Sequence, residues 1–395
     1  MNLLEKYENV FQHIERPFAW LDYDALDQNI DFVNRLATKP VRIATKSVRS
    51  VSVLKYIQEK LVNYAGLMTF TAAESVYLIE QGFDHLLLGY PTFEENNIKK
   101  LLAYSRAGKD ITFMVDAYEQ VQLLQNCAEQ MQTMAKICID INISTNFKWI
   151  YFGTKRSPLD SLQKLKNFTD KLTDYPNIRI HALMGYEAQI AGVPDLSLAN
   201  SRKMRGKGLV VRQLKKQSIE KITSFRRLAV AHVKSIAPVA FVNGGGSGSI
   251  TYTCEQQEIT EATVGSAFFA PALFDHYDTL NLQPAVGFAL RVTRQFDAHT
   301  FVCQGGGYIA SGAIGEDRAP VFLNENYQLL PLEGAGEVQT PFIDSTGSLT
   351  IGDTVYLRHA KAGELCERFT VLHGTRNMCY AGPILTYRGE RQCFL

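Results

Sequence analysis

Val41–Ser50 reads VRIATKSVRS, and the rest of the chain is organised around it. Branched residues at Val41, Ile43 and Thr45 make a strand, and that strand runs into a lysine, Lys46. An ammonium at the end of a buried strand is costly unless it is paired or neutralised. Loss of water also lowers an amine's pKa, which makes it a nucleophile able to form an imine with an aldehyde. A lysine whose stem follows the strand and whose head reaches water is the plainer reading.

Outward from this stretch, apolar strand patterns alternate with amphipathic helices. The strands are expected near 41–46, 64–69, 86–90, 111–116, 136–143, 178–186, 238–243 and 260–265. Near-continuous apolar strands separated by helices predict a (β/α)8 TIM barrel, with an open doubly wound sheet as the alternative. Upstream, Asp22 or Asp24 caps a helix carrying Leu26, Ile30, Val33 and Leu36 on one face. Thr71 and Glu74 are spaced as a capping box. Beyond Pro271 the texture changes to short strands with turn residues between them, such as LRVTRQF, TFVCQGGG, TPFID and DTVYLRH. The fold class expected is α/β: a barrel over 1–275 followed by a C-terminal all-β domain over 276–395. Chemistry in such barrels gathers at the C-terminal ends of the strands, where Lys46, Tyr186 and Gly244–Ser249 fall.

Composition narrows the function. A net charge of +1 over 395 residues gives no field that points to nucleic acid or a membrane. No run approaches the ~20 apolar residues of a membrane span. The seven cysteines are scattered without a CxxC pair, which argues for free thiols in a reducing compartment. The first residues, MNLLEKYENVFQHIERPF, carry charges throughout, so a signal peptide is not expected. A soluble cytoplasmic protein is the expectation. The basic run Arg202–Lys216 reads as the solvated face of a long helix beginning near Ser201, with an anion contact as the alternative.

The second signal is VNGGGSGSITYT at 242–253, with glycines at 244, 245, 246 and 248. Such a turn lets backbone N–H groups converge on a phosphate, and Ser247 and Ser249 add hydroxyls. Its place after the seventh barrel strand matches where barrels often hold phosphate, and Gly265-Ser266 after the eighth closes the cup. No GK[ST] follows, so a small cofactor fits better than a nucleotide. A lysine and a phosphate cup facing across one barrel mouth suit pyridoxal phosphate, an aldehyde that condenses with lysine and accepts electrons.

With those residues in view, the chain resembles the alanine-racemase-like group of pyridoxal-phosphate enzymes. Within that group it resembles the D-threonine aldolase / D-serine dehydratase family, including bacterial amino acid deaminase/aldolase proteins. The matching pieces are LDYDALDQNI (21–30), IATKS (43–47), TAAESVYLIEQGFDHLLLGYP (71–91), GYEAQIAGVPD (185–195), NGGGSGS (243–249) and GDTVYLRHAKAGELCERF (352–369). The resemblance implies a barrel plus a β domain in a homodimer with active sites at the subunit interface. It implies Lys46 as the imine-forming lysine and proton shuttle at Cα, and Tyr186 as the aromatic residue beside the cofactor, with Gln189 as a polar neighbour. Ser247, Gly248, Ser249, Gly265 and Ser266 would hold the phosphate. Tyr308 would reach the site from the β domain or serve as a core tyrosine.

The same resemblance implies a divalent metal bound by a His-x-Cys or His-x-Asp pair in the β domain. Here His359 is in place but position 361 is lysine, so Cys366 becomes the expected second ligand across the KAGEL insertion. A thiolate with an imidazole favours zinc; Glu364 instead of Cys366 would tilt the site towards manganese or magnesium. Where many fold relatives carry R-x-G, this chain has Tyr151 in YFG, leaving Lys155 or Arg156 as the group near the ring, or as paired surface residues. The activity implied is a lyase acting on a D-3-hydroxy amino acid, by aldol cleavage or by dehydration. Its alternatives are a racemase or decarboxylase on the same scaffold, or a non-catalytic cofactor-binding protein.

Overall fold

The computed structural model describes residues 3–195, 202–313 and 315–395. Its centre is a closed barrel of parallel strands: Val41–Ala44, Tyr64–Thr69, Leu86–Leu88, Ile111–Val115, Ala135–Asp140, Ile178–Gly185, Phe241–Gly244 and Glu261–Val264. All the expected strands are present, and the last closes on the first, Ala262 against Val41 and Val264 against Ile43. Closure excludes the open sheet. Alternation makes the two layers of core: Ile111, Phe113 and Val115 face the helices, while Met114 joins Leu87, Cys138, Ala182 and Met184 inside the barrel. One charge pair spans the closing seam. Arg42, buried in the first strand, holds Glu261 of the last in two hydrogen bonds of 2.7 and 3.0 Å.

The local signals act as their chemistry requires. The Asp22 carboxylate accepts from the backbone N–H groups of Asp24 and Ala25 and so starts the helix Tyr23–Leu36. The Thr71 hydroxyl accepts from Glu74 N, while the Glu74 carboxylate reaches back to Phe70 N at 2.8 Å. The basic run lies on the long helix Arg202–Ile236, where Lys215 pairs with Asp195 at 2.6 Å; Ser201 lies outside the described residues.

The second domain is a nine-stranded sheet. It contains two strands that lack a strong sequence pattern, Tyr327–Leu329 and Cys379–Leu385. It also takes in a segment counted above with the barrel. Phe18–Asp22 inserts between Val286–Gln295, antiparallel, and Val371–Arg376, parallel. The physical reason is visible in FAWLD: every residue of the strand is buried, with Trp20 fully enclosed, so both faces need cover. Phe18–Asp22 therefore belongs structurally with the C-terminal sheet, and the chain contributes to that sheet from both before and after the barrel.

Candidate active site

The first barrel strand ends at Ala44, and Thr45–Ser47 form a 3-10 turn that presents Lys46 to solvent. The ammonium is thus not sealed at a strand end. It lines a cavity of about 620 Å³ between the barrel mouth and the β domain, and its Nζ donates to Tyr90 Oη at 2.7 Å. The turn is held from three sides. Thr45 Oγ1 donates to the Met68 carbonyl at 3.1 Å. Arg49, in the left-handed region at φ 54°, donates from Nε to the Lys46 carbonyl at 2.9 Å and from Nη1 to Glu367 at 2.9 Å. From the β domain, Gly363 packs so closely that a Cβ there would lie 2.7 Å from Ser47 C and 2.9 Å from the Lys46 carbonyl oxygen.

The glycine-rich turn reaches the same place. Ser247–Ser249 and Ser266–Phe269 are two short helical turns whose opening N–H groups have no partner within the turn itself. Ser247 Oγ bridges them by accepting from Ala267 N at 2.9 Å. The Ser266 hydroxyl lies 3.3 Å from that of Ser47, next to Lys46. Two glycines are required by close approach: a Cβ on Gly248 would sit 2.4 Å from the Ala191 carbonyl oxygen, and one on Gly265 would sit 2.7 Å from Ser47 Oγ. The cup residues do not line the cavity itself; they join its lysine through Ser47.

Beneath the cup is a buried ion pair. Arg226 Nη2 donates to Glu187 Oε2 at 2.8 Å, with both side chains sealed from water. Glu187 also accepts from Gly245 N at 3.2 Å and from the Thr253 and Ser249 hydroxyls. The Ser249 side chain therefore points into the support of the loop, not into the cup. Gln189 is likewise inward, donating to the Ile143 carbonyl at 2.8 Å. Tyr186 lies against the turn, its ring 3.3 Å from where a Gly246 Cβ would be, and burial pushes its phenol up to about 12.

Charge surrounds this pair of features. Lys155 and Arg156 are both exposed, Lys155 above the Tyr151 ring, and the Arg156 cation acts electrostatically on Tyr186, Asp140 and Lys361. The Asp140 carboxyl is pushed up to about 7, by burial first and then by Asp116, against the pull of Arg156. Tyr308 lines the cavity and packs edge-on against Phe288 and Phe369.

The residues expected to hold a metal do not come together as a ligand set. His359 lines the cavity, but Cys366 is fully buried in the apolar core and is not part of the cavity lining. Glu364 lines the cavity and accepts from both the N–H and the hydroxyl of Ser311. Among the described residues no three His, Cys, Asp or Glu side chains are grouped to hold a metal ion, and of the expected pair only His359 faces the cavity.

Three residues that hold the candidate site together escape the sequence reading. Tyr90 ends the third barrel strand region, and the rule that such ends carry chemistry was enough to find it. Glu187 follows Tyr186 directly and reads as an ordinary surface acid. Arg226 is one cation among many on a long helix, and nothing local marks it as buried.

The family model for the alanine racemase N-terminal domain matches residues 21–271. No curated protein matches the sequence. Solved structures do match in fold. D-threonine aldolase from Filomicrobium marinum superposes with a TM-score of 0.76 at 14% identity, covering 94% of this chain and 93% of that one. D-threo-3-hydroxyaspartate dehydratase from Delftia sp. HT23 gives 0.75 at 14% identity over 95% and 98%. An alanine racemase of Clostridium difficile 630 gives 0.64 at 14% over 94% and 98%.

Proposed function

Because the chain belongs to the alanine racemase N-terminal domain family, we propose that it is a pyridoxal-phosphate-dependent lyase of D-3-hydroxy amino acids, acting by aldol cleavage or dehydration. One observation carries the reading: the Lys46 turn and the glycine-rich cup meet, with the Ser47 and Ser266 hydroxyls 3.3 Å apart. An amine and an anion cradle in contact suit the two ends of one small phosphorylated aldehyde. The close approaches at Gly248 and Gly265 fit such a group, since a side chain at either would collide with the walls of the cradle.

Ser247, Gly248, Gly265 and Ser266 would hold the phosphate, Tyr186 would flank the ring, and Lys46 would bind the aldehyde carbon. Bound pyridoxal phosphate supplies that carbon and an electron sink for charge developing at the substrate's Cα. The protein's own work is then proton management and orientation. The Lys46 amine would then serve as the base for the proton at the substrate's Cα. Tyr90 holds the Lys46 Nζ in a hydrogen bond and so fixes where that base stands. Arg49 and Gly363 fix the backbone that carries it. Aldolase and dehydratase names among the fold relatives support a lyase over a racemase. A homodimer belongs to the same reading, and light scattering on the purified protein measures it.

The deciding experiment is borohydride reduction of the purified holoprotein followed by peptide mass mapping. The cofactor mass is expected on the peptide containing Lys46 and nowhere in Lys46→Ala. Product analysis with D-serine, D-threonine and 3-hydroxyaspartate then separates cleavage from dehydration; a labelled lysine elsewhere, or D/L interconversion alone, overturns the proposal.

A further inference from the structure

We infer that the positive charge facing the substrate's β-oxygen in this chain is the Lys361 ammonium, and that turnover needs no divalent metal. The inference rests on the lyase reading above and adds the group that stabilises the departing oxygen.

Lys361 immediately precedes the 3-10 turn Ala362–Glu367, and that turn is pressed onto the Lys46 turn through Gly363. Its position relative to Lys46 is therefore set by backbone packing. Both lysines line the same cavity, together with Tyr308 and His359. Two of the three ammonium protons are committed, to the carbonyl and to the hydroxyl of Ser311, each at 3.1 Å. Glu364 Oε1 stands 3.8 Å from Nζ and takes the Ser311 hydroxyl in turn, so the ammonium is held by a two-residue bracket. The ammonium so held lines the cavity that Lys46 also lines.

The same bracket disfavours a metal. A dication beside a fixed ammonium meets like charge at short range. The Glu364 carboxylate is already engaged with Ser311, and Cys366 lies in the core rather than in the cavity lining. Charge developing on oxygen is instead met by a preorganised cation that costs no reorganisation. The step it serves is elimination. Lys46 accepts the Cα proton, and the Cα–H electron pair forms the Cα–Cβ double bond. The Cβ–O bond breaks with its pair on oxygen, and the proton held by Lys46 passes to that oxygen. Water is lost.

The test uses the holoenzyme. Elemental analysis after chelator-free purification, and calorimetric titration with zinc and with manganese, are expected to show well under one ion per chain and no tight binding. Turnover of 3-hydroxyaspartate or D-serine should survive EDTA unchanged. Lys361→Met is expected to lower kcat about 100-fold with a much smaller change in KM, and Lys361→Arg to recover part of the loss. Stoichiometric zinc or manganese that is lost in His359→Ala, or a Lys361→Met enzyme with unaltered kcat, overturns the inference. Should Lys361→Met fail to fold, Lys361→Arg and the metal stoichiometry still decide. If no cofactor is trapped on Lys46, the lyase reading has failed, and metal stoichiometry reads on this inference separately.

Discussion

A hydrogen bond of 2.7 Å from Lys46 Nζ to Tyr90 Oη defines where the reactive amine rests. Tyr90→Phe removes one oxygen and leaves the aromatic wall, so the amine loses its anchor while the fold is unaffected. Hydrogen bonds to charged groups contribute roughly 1.5–3 kcal/mol, so kcat should fall about tenfold to a hundredfold. Steady-state kinetics beside an unchanged thermal midpoint check this, and equal rates in the two proteins would remove Tyr90 from the site. Lys46 itself was legible in the sequence from its position at a strand end. Its environment was not: the chain leaves the strand two residues early and turns the lysine outward, and that turn depends on Arg49 and Gly363. Gly363 lies in the other domain, so no local pattern records its contact with Lys46.

The glycine-rich turn is kept in shape by Glu187 and Arg226, a pair sealed below it. Removing one member leaves the other charge buried and alone, which costs about 3–5 kcal/mol. Glu187→Ala should lose stability of that order in urea unfolding and bind pyridoxal phosphate more weakly, since Gly245 N also loses its acceptor. Stability without weakened binding would mean the pair does not shape the cup. Gly248→Ala probes the cup alone. Its Cβ would lie 2.4 Å from both the Ala191 carbonyl oxygen and the Tyr277 ring, so the turn must shift. Overpacking of this kind costs roughly 1–3 kcal/mol of stability, so the apoprotein's midpoint should fall by a few degrees and cofactor affinity should fall with it as the turn is displaced. The glycines and serines announced an anion cradle in the sequence. Which hydroxyls face it did not follow from them, because Ser249 is drawn inward by a carboxylate sixty-odd positions away in the chain.

Barrel and β domain are joined at the scale of the whole molecule by buried polar contacts. Glu74, on the helix after the second barrel strand, accepts from Tyr387 Oη at 2.9 Å, and burial pushes its carboxyl up to about 7. The folded state therefore holds this proton more tightly than the unfolded chain, whose carboxyl titrates near its ordinary value. This contribution is full below about pH 4.5 and is lost as pH rises through 7, to the extent of about 3 kcal/mol. Glu74→Gln should flatten that fall; melting curves of both proteins between pH 4.5 and 7.5 measure it, and parallel slopes would show that Glu74 is not its source. The alternation of apolar strands with amphipathic helices determined the barrel, because every strand of a parallel sheet buried on both faces must be apolar by itself. The glycine-rich turn and the lysine at a strand end likewise carry their chemistry in their own residues. Tertiary structure alone decided that Phe18–Asp22 belongs to the far sheet, that Arg226 is buried, and that Lys361 rather than Cys366 lines the cavity. Those outcomes depend on contacts between segments far apart in the chain, and the partner that covers a face or meets a charge is not written beside it.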